Sequence, residues 1–128
     1  MCNFCNLDQA KKSILTTEFF FVIFDRAMVT EGHALIVLKR HAPSILDLNQ
    51  ADWFDLRTAV HKSMKRLGAQ FHTDSYNFGI NEGAAAGQTV PHFHMHVFPR
   101  RAGDVKDPRG GIRNFVTPLQ QLWPSEPQ

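Results

Sequence analysis

Apolar and polar positions follow two rhythms along the chain. Early on, the apolar residues come in short dense runs. Residues 13–16 form a brief one, residues 19–24 are rich in aromatic and β-branched side chains, and residues 33–38 follow the turn-like Thr30-Glu31-Gly32. Runs of this length and composition, bounded by turn residues, predict strands. The rhythm then changes. Trp53, Leu56, Val60, Met64, Leu67 and Phe71 recur at steps of three and four, which predicts a helix with one apolar face. Asn49 is placed to cap it, and Asp52 puts a negative charge in the first turn, where the helix dipole favours one. Lys62, Lys65 and Arg66 fall on the polar side, and Gly68 blurs where the helix ends. Strand patterning returns at 76–81 and 92–98, the latter closed by Pro99. Residues 82–88, with Gly83, three alanines and Gly87, read as a small-residue loop. From Arg100 the chain reads as loop, with Asp107-Pro108-Arg109-Gly110-Gly111 as turn chemistry and a loop-like tail from about 119. Strands before and after one long helix predict an α+β domain with a mainly antiparallel sheet.

Composition narrows the function classes. With 128 residues and 43% apolar content, the chain is expected to form one domain over 1–128. A net charge of +2, without a long basic stripe, argues against nucleic-acid wrapping. The longest apolar run, 19–24, is far short of the ~20 residues that span a bilayer. No basic segment followed by an apolar stretch marks a secretory signal, so no membrane association and a cytoplasmic location are expected. There Cys2 and Cys5 stay reduced, which favours metal ligation, or no role, over a disulfide.

The chemistry concentrates at Pro91-His92-Phe93-His94-Met95-His96-Val97-Phe98. Side chains alternate faces along a strand. His92, His94 and His96 are therefore expected on one face, with Phe93, Met95 and Val97 on the other, toward the helix. Neighbouring imidazoles would lie roughly 7 Å apart. Three packed histidines without a use are a poor alternative, because each buried unsatisfied polar group costs about 1–3 kcal/mol. A three-histidine metal centre is a second reading, although a third ligand rarely reaches the same ion from one straight strand. A third reading makes a neutral imidazole the nucleophile, oriented by its neighbours. Gly87-Gln88-Thr89, at the mouth of the histidine face, supplies small and polar groups suited to phosphate oxygens.

The stretch from Gly87 through Arg100 resembles the signature of the histidine triad (HIT) superfamily. The likeness extends to Asn81-Glu82-Gly83, to Phe24-Asp25 and to His33, and covers about residues 2–118. It implies the HIT fold, an antiparallel sheet of about five strands with one long helix on it, and a homodimer. It also implies a nucleotide hydrolase acting at an α-phosphate. His94 would be the nucleophile, giving a nucleotidyl-histidine that water hydrolyses. His96 would contact phosphate and help protonate the leaving group, and His92 would orient the neighbouring site. Gln88, Thr89 and Asn81 would bind phosphate, Asp25 the ribose hydroxyls, and His33 would support the triad. A histidine at 96, where a nucleotidyltransferase branch has glutamine, points to hydrolysis.

The implied substrates are purine nucleotides, either nucleoside phosphoramidates or dinucleoside polyphosphates. Magnesium could accompany the latter, although no carboxylate cluster argues for it. The tail around 103–113 resembles a bacterial subgroup called diadenosine tetraphosphate hydrolases, whose polyphosphate Arg100, Arg109 and Arg113 would reach, the alternative being a solvated basic tail. A nucleotide-binding regulatory module and a mononuclear zinc hydrolase are the rival readings.

Cys2-x-x-Cys5 is half of a zinc site by spacing. Two incidental cysteines are the plain alternative. The resemblance implies completion by His41 and His92, giving a structural zinc that would fix His92.

Overall fold

The structure, a computed structural model, describes residues 2–115; the tail expected from about 119 lies outside them. Five strands form one antiparallel sheet. They are β1 (Leu15–Thr16), β2 (Phe20–Phe24), β3 (Ala34–Leu38), β4 (Ser75–Gly79) and β5 (His94–Arg100), in the spatial order β1-β2-β3-β5-β4. A short helix α1 (Leu7–Lys11) precedes the sheet, and the long helix α2 (Gln50–Phe71) connects β3 to β4.

The core explains why β2 and β3 are apolar at every position. One sheet face carries Phe20, Val22, Ala34, Ile36, Leu38 and Val97, which meet Leu56, Ala59 and Leu67 of α2. The opposite face carries Phe21, Ile23, Leu35 and Val37, with Phe4 packed on them. Central strands covered on both sides read as continuous rather than alternating hydrophobic runs.

Helix α2 starts at the expected cap. The Asn49 side chain accepts from the Asp52 amide, and the Asp52 carboxylate accepts from the Asn49 amide, which satisfies two otherwise orphaned donors. Asp52 is fully buried and also receives both guanidinium nitrogens of Arg40 at 2.6 Å. Trp53, expected on the buried face, is instead 45% exposed. The buried stripe runs through Asp52, Asp55, Leu56, Ala59, Ser63 and Leu67; Asp52 binds Arg40, and Asp55 accepts from the Thr17 hydroxyl and the Phe19 amide. The helix passes Gly68 and ends at His72, in the left-handed conformation.

Several strand limits differ from expectation. The first strand contains only Leu15 and Thr16, and the fourth is Ser75–Gly79 rather than 76–81. The last begins at His94, not His92, and runs through Pro99 instead of stopping there. At Pro99 the strand pairs with Tyr76 of β4 alone, since β3 reaches only Val97 on the other side. A missing N–H is tolerated where one flank has no partner. Gly32 has φ +86° and lies against the Phe71 ring, where a Cβ would sit 2.6 Å from ring carbon, so glycine shapes the entry into β3.

Candidate active site

Register sets up the histidines. In β5, His94 pairs with Val37 and His96 with Leu35, so both rise from the sheet face that lies away from α2. Phe93 and Val97 are buried against the helix side, as alternation requires. The His94 and His96 rings are 5.2 Å apart between centroids. His92 departs from the expected arrangement. It precedes the strand, where the backbone bends, and its side chain is fully buried.

Hydrogen-bond partners assign the ring protons. His94 Nδ1 lies 2.8 Å from the His92 carbonyl oxygen, which can only accept. Nδ1 therefore carries the proton, and Nε2 keeps its lone pair. A second chain starts at Val29, whose amide donates to His33 Nδ1 at 3.4 Å. His33 Nε2 then holds the hydrogen and faces His96 Nδ1 at 2.9 Å and the Asp25 carboxylate at 3.4 Å. His96 Nδ1 accepts, which leaves its Nε2 as a donor. The site thus presents one imidazole with a bare nitrogen beside one with an N–H.

Burial favours the neutral form of His33 and His96. Desolvation, reinforced by the neighbouring His94 and His33 and opposed by Asp25, pulls His96 down to about 4. Desolvation also lowers His33, with Asp25 acting against it. Charging either ring would place a cation where water solvates it poorly.

A cleft of about 260 Å³ opens over these groups. His94, His96, Asp25, Asn81 and Thr89 all line it, together with Gly87. His33 does not; it is buried behind His96. Gln88 is also outside the lining. Its amide oxygen accepts from the Gly83 amide, and its nitrogen donates to the carbonyls of Pro43 and Val90. Its side chain fastens the loop rather than facing the cleft. Gly87, at φ +94°, turns the chain there. Two of the arginines expected near a polyphosphate are engaged elsewhere. Arg100 binds Asp104 and Asn77 beside β4, and Arg109 binds Asp107. Sequence reasoning missed Asn3, Phe4, Gln9, Ile23, Arg26 and Leu35, which also line the cleft.

Cys2, Cys5, His41 and His92 converge behind the histidine pair. Their donor atoms lie within 4.8 Å of one another. His92 Nδ1 is 3.5 Å from each sulfur and 3.3 Å from His41 Nδ1, which is 3.3 Å from the Cys5 sulfur. The His92 Nε2–H donates to the Leu38 carbonyl at 2.5 Å, so its Nδ1 lone pair is free for a metal. A tetrahedral ion with ordinary bond lengths needs N···S edges of about 3.5 Å and N···N edges of about 3.3 Å. The four donors fit a zinc-type ion. Burial and the adjacent Cys2 sulfur push the Cys5 thiol up, a tension that a cation between the sulfurs would relieve.

With its Nδ1 turned to the cysteines, His92 does not share one centre with His94 and His96, which removes the geometry of a three-histidine metal hydrolase. Asp25, His33 and His96 also gather. There, however, the two ring nitrogens are 2.9 Å apart, a hydrogen-bond separation.

Comparison with known proteins agrees with this architecture. The chain is 37% identical over 79 residues to the asymmetrical bis(5'-nucleosyl)-tetraphosphatase of Schizosaccharomyces pombe, covering 62% of this chain and 43% of that protein. It is 34% identical over 92 residues to the bis(5'-adenosyl)-triphosphatase of Dictyostelium discoideum, covering 72% and 62%. The crystal structure of the Caenorhabditis elegans NitFhit protein superposes with a TM-score of 0.70 at 36% identity, covering 81% of this chain and 25% of that one. The chain therefore spans less than two thirds of the length of each of these proteins. The model of the HIT domain matches residues 6–103, and with that match over most of its length the chain belongs to the HIT domain family.

Proposed function

We propose that this chain is a nucleotide hydrolase in which His94 Nε2 attacks the α-phosphorus of a nucleoside phosphoramidate or dinucleoside polyphosphate. The observation that carries the reading is the bond from His94 Nδ1–H to the His92 carbonyl, which in the neutral ring leaves the nucleophilic lone pair on Nε2. In the first step an N–P bond forms, the phosphorus–leaving-group bond breaks, and the leaving group departs with that bond's electron pair. His96 Nε2–H donates toward the phosphoryl group. A bound anionic phosphate favours the charged form of His96, so the ring can take up a proton with substrate and pass it to the leaving group. In the second step water attacks phosphorus, its proton passes to His96 Nε2, and the N–P bond breaks with its electron pair returning to His94 Nε2, giving the nucleoside monophosphate. Thr89 and Asn81 hold phosphate, and Asp25 accepts from the ribose hydroxyls. His33 fixes the His96 tautomer. The names of the yeast and slime-mould relatives support a dinucleoside polyphosphate substrate.

Zinc bound by Cys2, Cys5, His41 and His92 would be structural, tying the N-terminal segment to the backbone that orients His94. Among the described residues no helix is long and apolar enough to cross a membrane. A cytoplasmic setting would keep both thiols available as ligands. The edge position of β4 suits pairing with a second copy of the chain in a homodimer.

The test is His94→Ala. It should lose turnover of an adenosine phosphoramidate by at least ~10⁴-fold, the scale for removing a nucleophile, while binding nucleoside monophosphate as before. Near-normal turnover in that variant would remove His94 from the mechanism.

A further inference from the structure

The face of β5 that carries His94 and His96 continues to Phe98, two residues on. The Phe98 ring lies parallel to that of His96, with an interplanar angle of 3° and 5.5 Å between centroids. It is nearer still to His33, at 4.3 Å and 34°. Register explains the closeness. Ala34 pairs with Val97 at the end of the β3–β5 ladder. One further step along both chains brings His33 opposite Phe98, and side chains at facing positions of an antiparallel pair meet. Among the described residues, the rings in contact with His33 are those of His96, at 5.1 Å, and Phe98.

That contact bears on a choice between hydrogen-bond partners. The His33 Nε2–H faces His96 Nδ1 at 2.9 Å and an Asp25 carboxylate oxygen at 3.4 Å. A carboxylate is ordinarily the stronger acceptor, yet the shorter contact is to the imidazole. At the other end of the ring, the Val29 amide is 3.4 Å from Nδ1, too long to fix the orientation alone. The His33 ring is buried, and with Phe98 against it there is little room to tilt away from His96.

We infer that Phe98 is a positioning residue, whose ring seats His33 against His96 and so keeps the His96 proton on Nε2. Phe98 does not line the cleft; it acts through His33. The inference rests on the proposed function for what that proton does, and on ring geometry for where it sits. Without the ring, His33 turns its N–H to Asp25, and His96 Nδ1 loses the donor that made it an acceptor.

The experiment combines long-range ¹⁵N–¹H histidine spectra at pH 7 with steady-state kinetics on an adenosine phosphoramidate. The proteins are wild type, Phe98→Leu, Phe98→Met, Phe98→Tyr, His33→Phe and the Phe98→Leu/His33→Phe double variant. Phe98 is only half-buried, which lets the ringless variants fold, and methionine fills the space that leucine leaves. In both ringless variants His96 should change from the Nε2–H form to a mixture of tautomers. Their kcat should fall about fivefold or more, the scale of one hydrogen bond, with KM changed less than about twofold. Phe98→Tyr, which keeps the ring, should keep the wild-type spectrum and kcat. Phe98→Leu should cost nothing further once His33 is phenylalanine. A wild-type spectrum and kcat in Phe98→Leu or Phe98→Met, or an undiminished loss in the double variant, overturns the inference. A tautomer change in a protein without turnover would overturn the hydrolase proposal and leave the role of Phe98 standing.

Discussion

The ring protons of His94 and His96 can be observed directly, and the structure predicts where they sit and, for His96, when the ring titrates. The perturbation is acid. His96 falls from an ordinary 6.5 to about 4 because its ring is buried next to two other imidazoles. A displacement of that size corresponds to about 3 kcal/mol of preference for the neutral ring in the folded state. The sign follows from proton binding. Between 6.5 and about 4 the unfolded chain takes a proton at this position and the folded chain does not. His96 therefore stabilises the fold fully above pH 6.5, and that contribution is lost as pH falls toward 4. The assay is a long-range ¹⁵N–¹H histidine spectrum recorded from pH 8 to 4 beside urea unfolding at the same points. His94 should carry a proton on Nδ1, and at pH 7 His96 should appear as the neutral Nε2–H tautomer. His96→Asn should lose less stability than wild type between pH 7 and 4.5. A His96 midpoint near 6.5, or the opposite tautomers, would refute the reasoning about burial and hydrogen bonding.

Four further outcomes follow from individual contacts. Chelation, or Cys5→Ser, should release about one zinc per chain, measured by metal analysis, and lower the melting temperature. Retention of full stability without metal would show that the four-donor cluster is not a zinc site. His33→Phe should free the His96 tautomer and reduce kcat more than KM, read from steady-state kinetics, whereas a purely structural role would leave kcat per folded molecule intact. Gly32→Ala forces an alanine into positive φ and against Phe71, and should cost about 1–3 kcal/mol in denaturant titration. Arg40→Met leaves the Asp52 carboxylate buried without its guanidinium and should cost about 1–3 kcal/mol by the same measurement.

How much the sequence revealed depended on whether a signal was local. Helix α2 was legible at its start because Asn49 and Asp52 cap each other within three residues, and along its length because apolar residues keep a helical period. Trp53 misled because the first turns of α2 face inward through two carboxylates, Asp52 on Arg40 and Asp55 on Thr17 and Phe19, contacts to other segments that periodicity does not register. The alternation of His94 and His96 was visible. The turn of His92 out of the strand was not, since it depends on Cys2, Cys5 and His41 meeting it in space. Gln88 had the chemistry of a phosphate ligand, and only the path of the loop shows its hydrogen bonds going to Gly83, Pro43 and Val90. The N-terminal segment was read for its cysteines alone. Asn3, Phe4 and Gln9 carry no motif, and they matter through the sheet face they cover.

His92 places two jobs on different parts of one residue. Its imidazole faces the cysteines, while its main-chain oxygen holds the His94 ring. Every amino acid brings that oxygen. Over evolutionary time a lineage that abandoned the metal could replace this imidazole and keep the hydrogen bond that prepares the nucleophile, provided the bend survived. The oxygen itself lies beyond the reach of point substitution. The first histidine of the motif is thus the one whose loss the chemistry can best absorb, and the one whose identity says most about whether a metal is still in use.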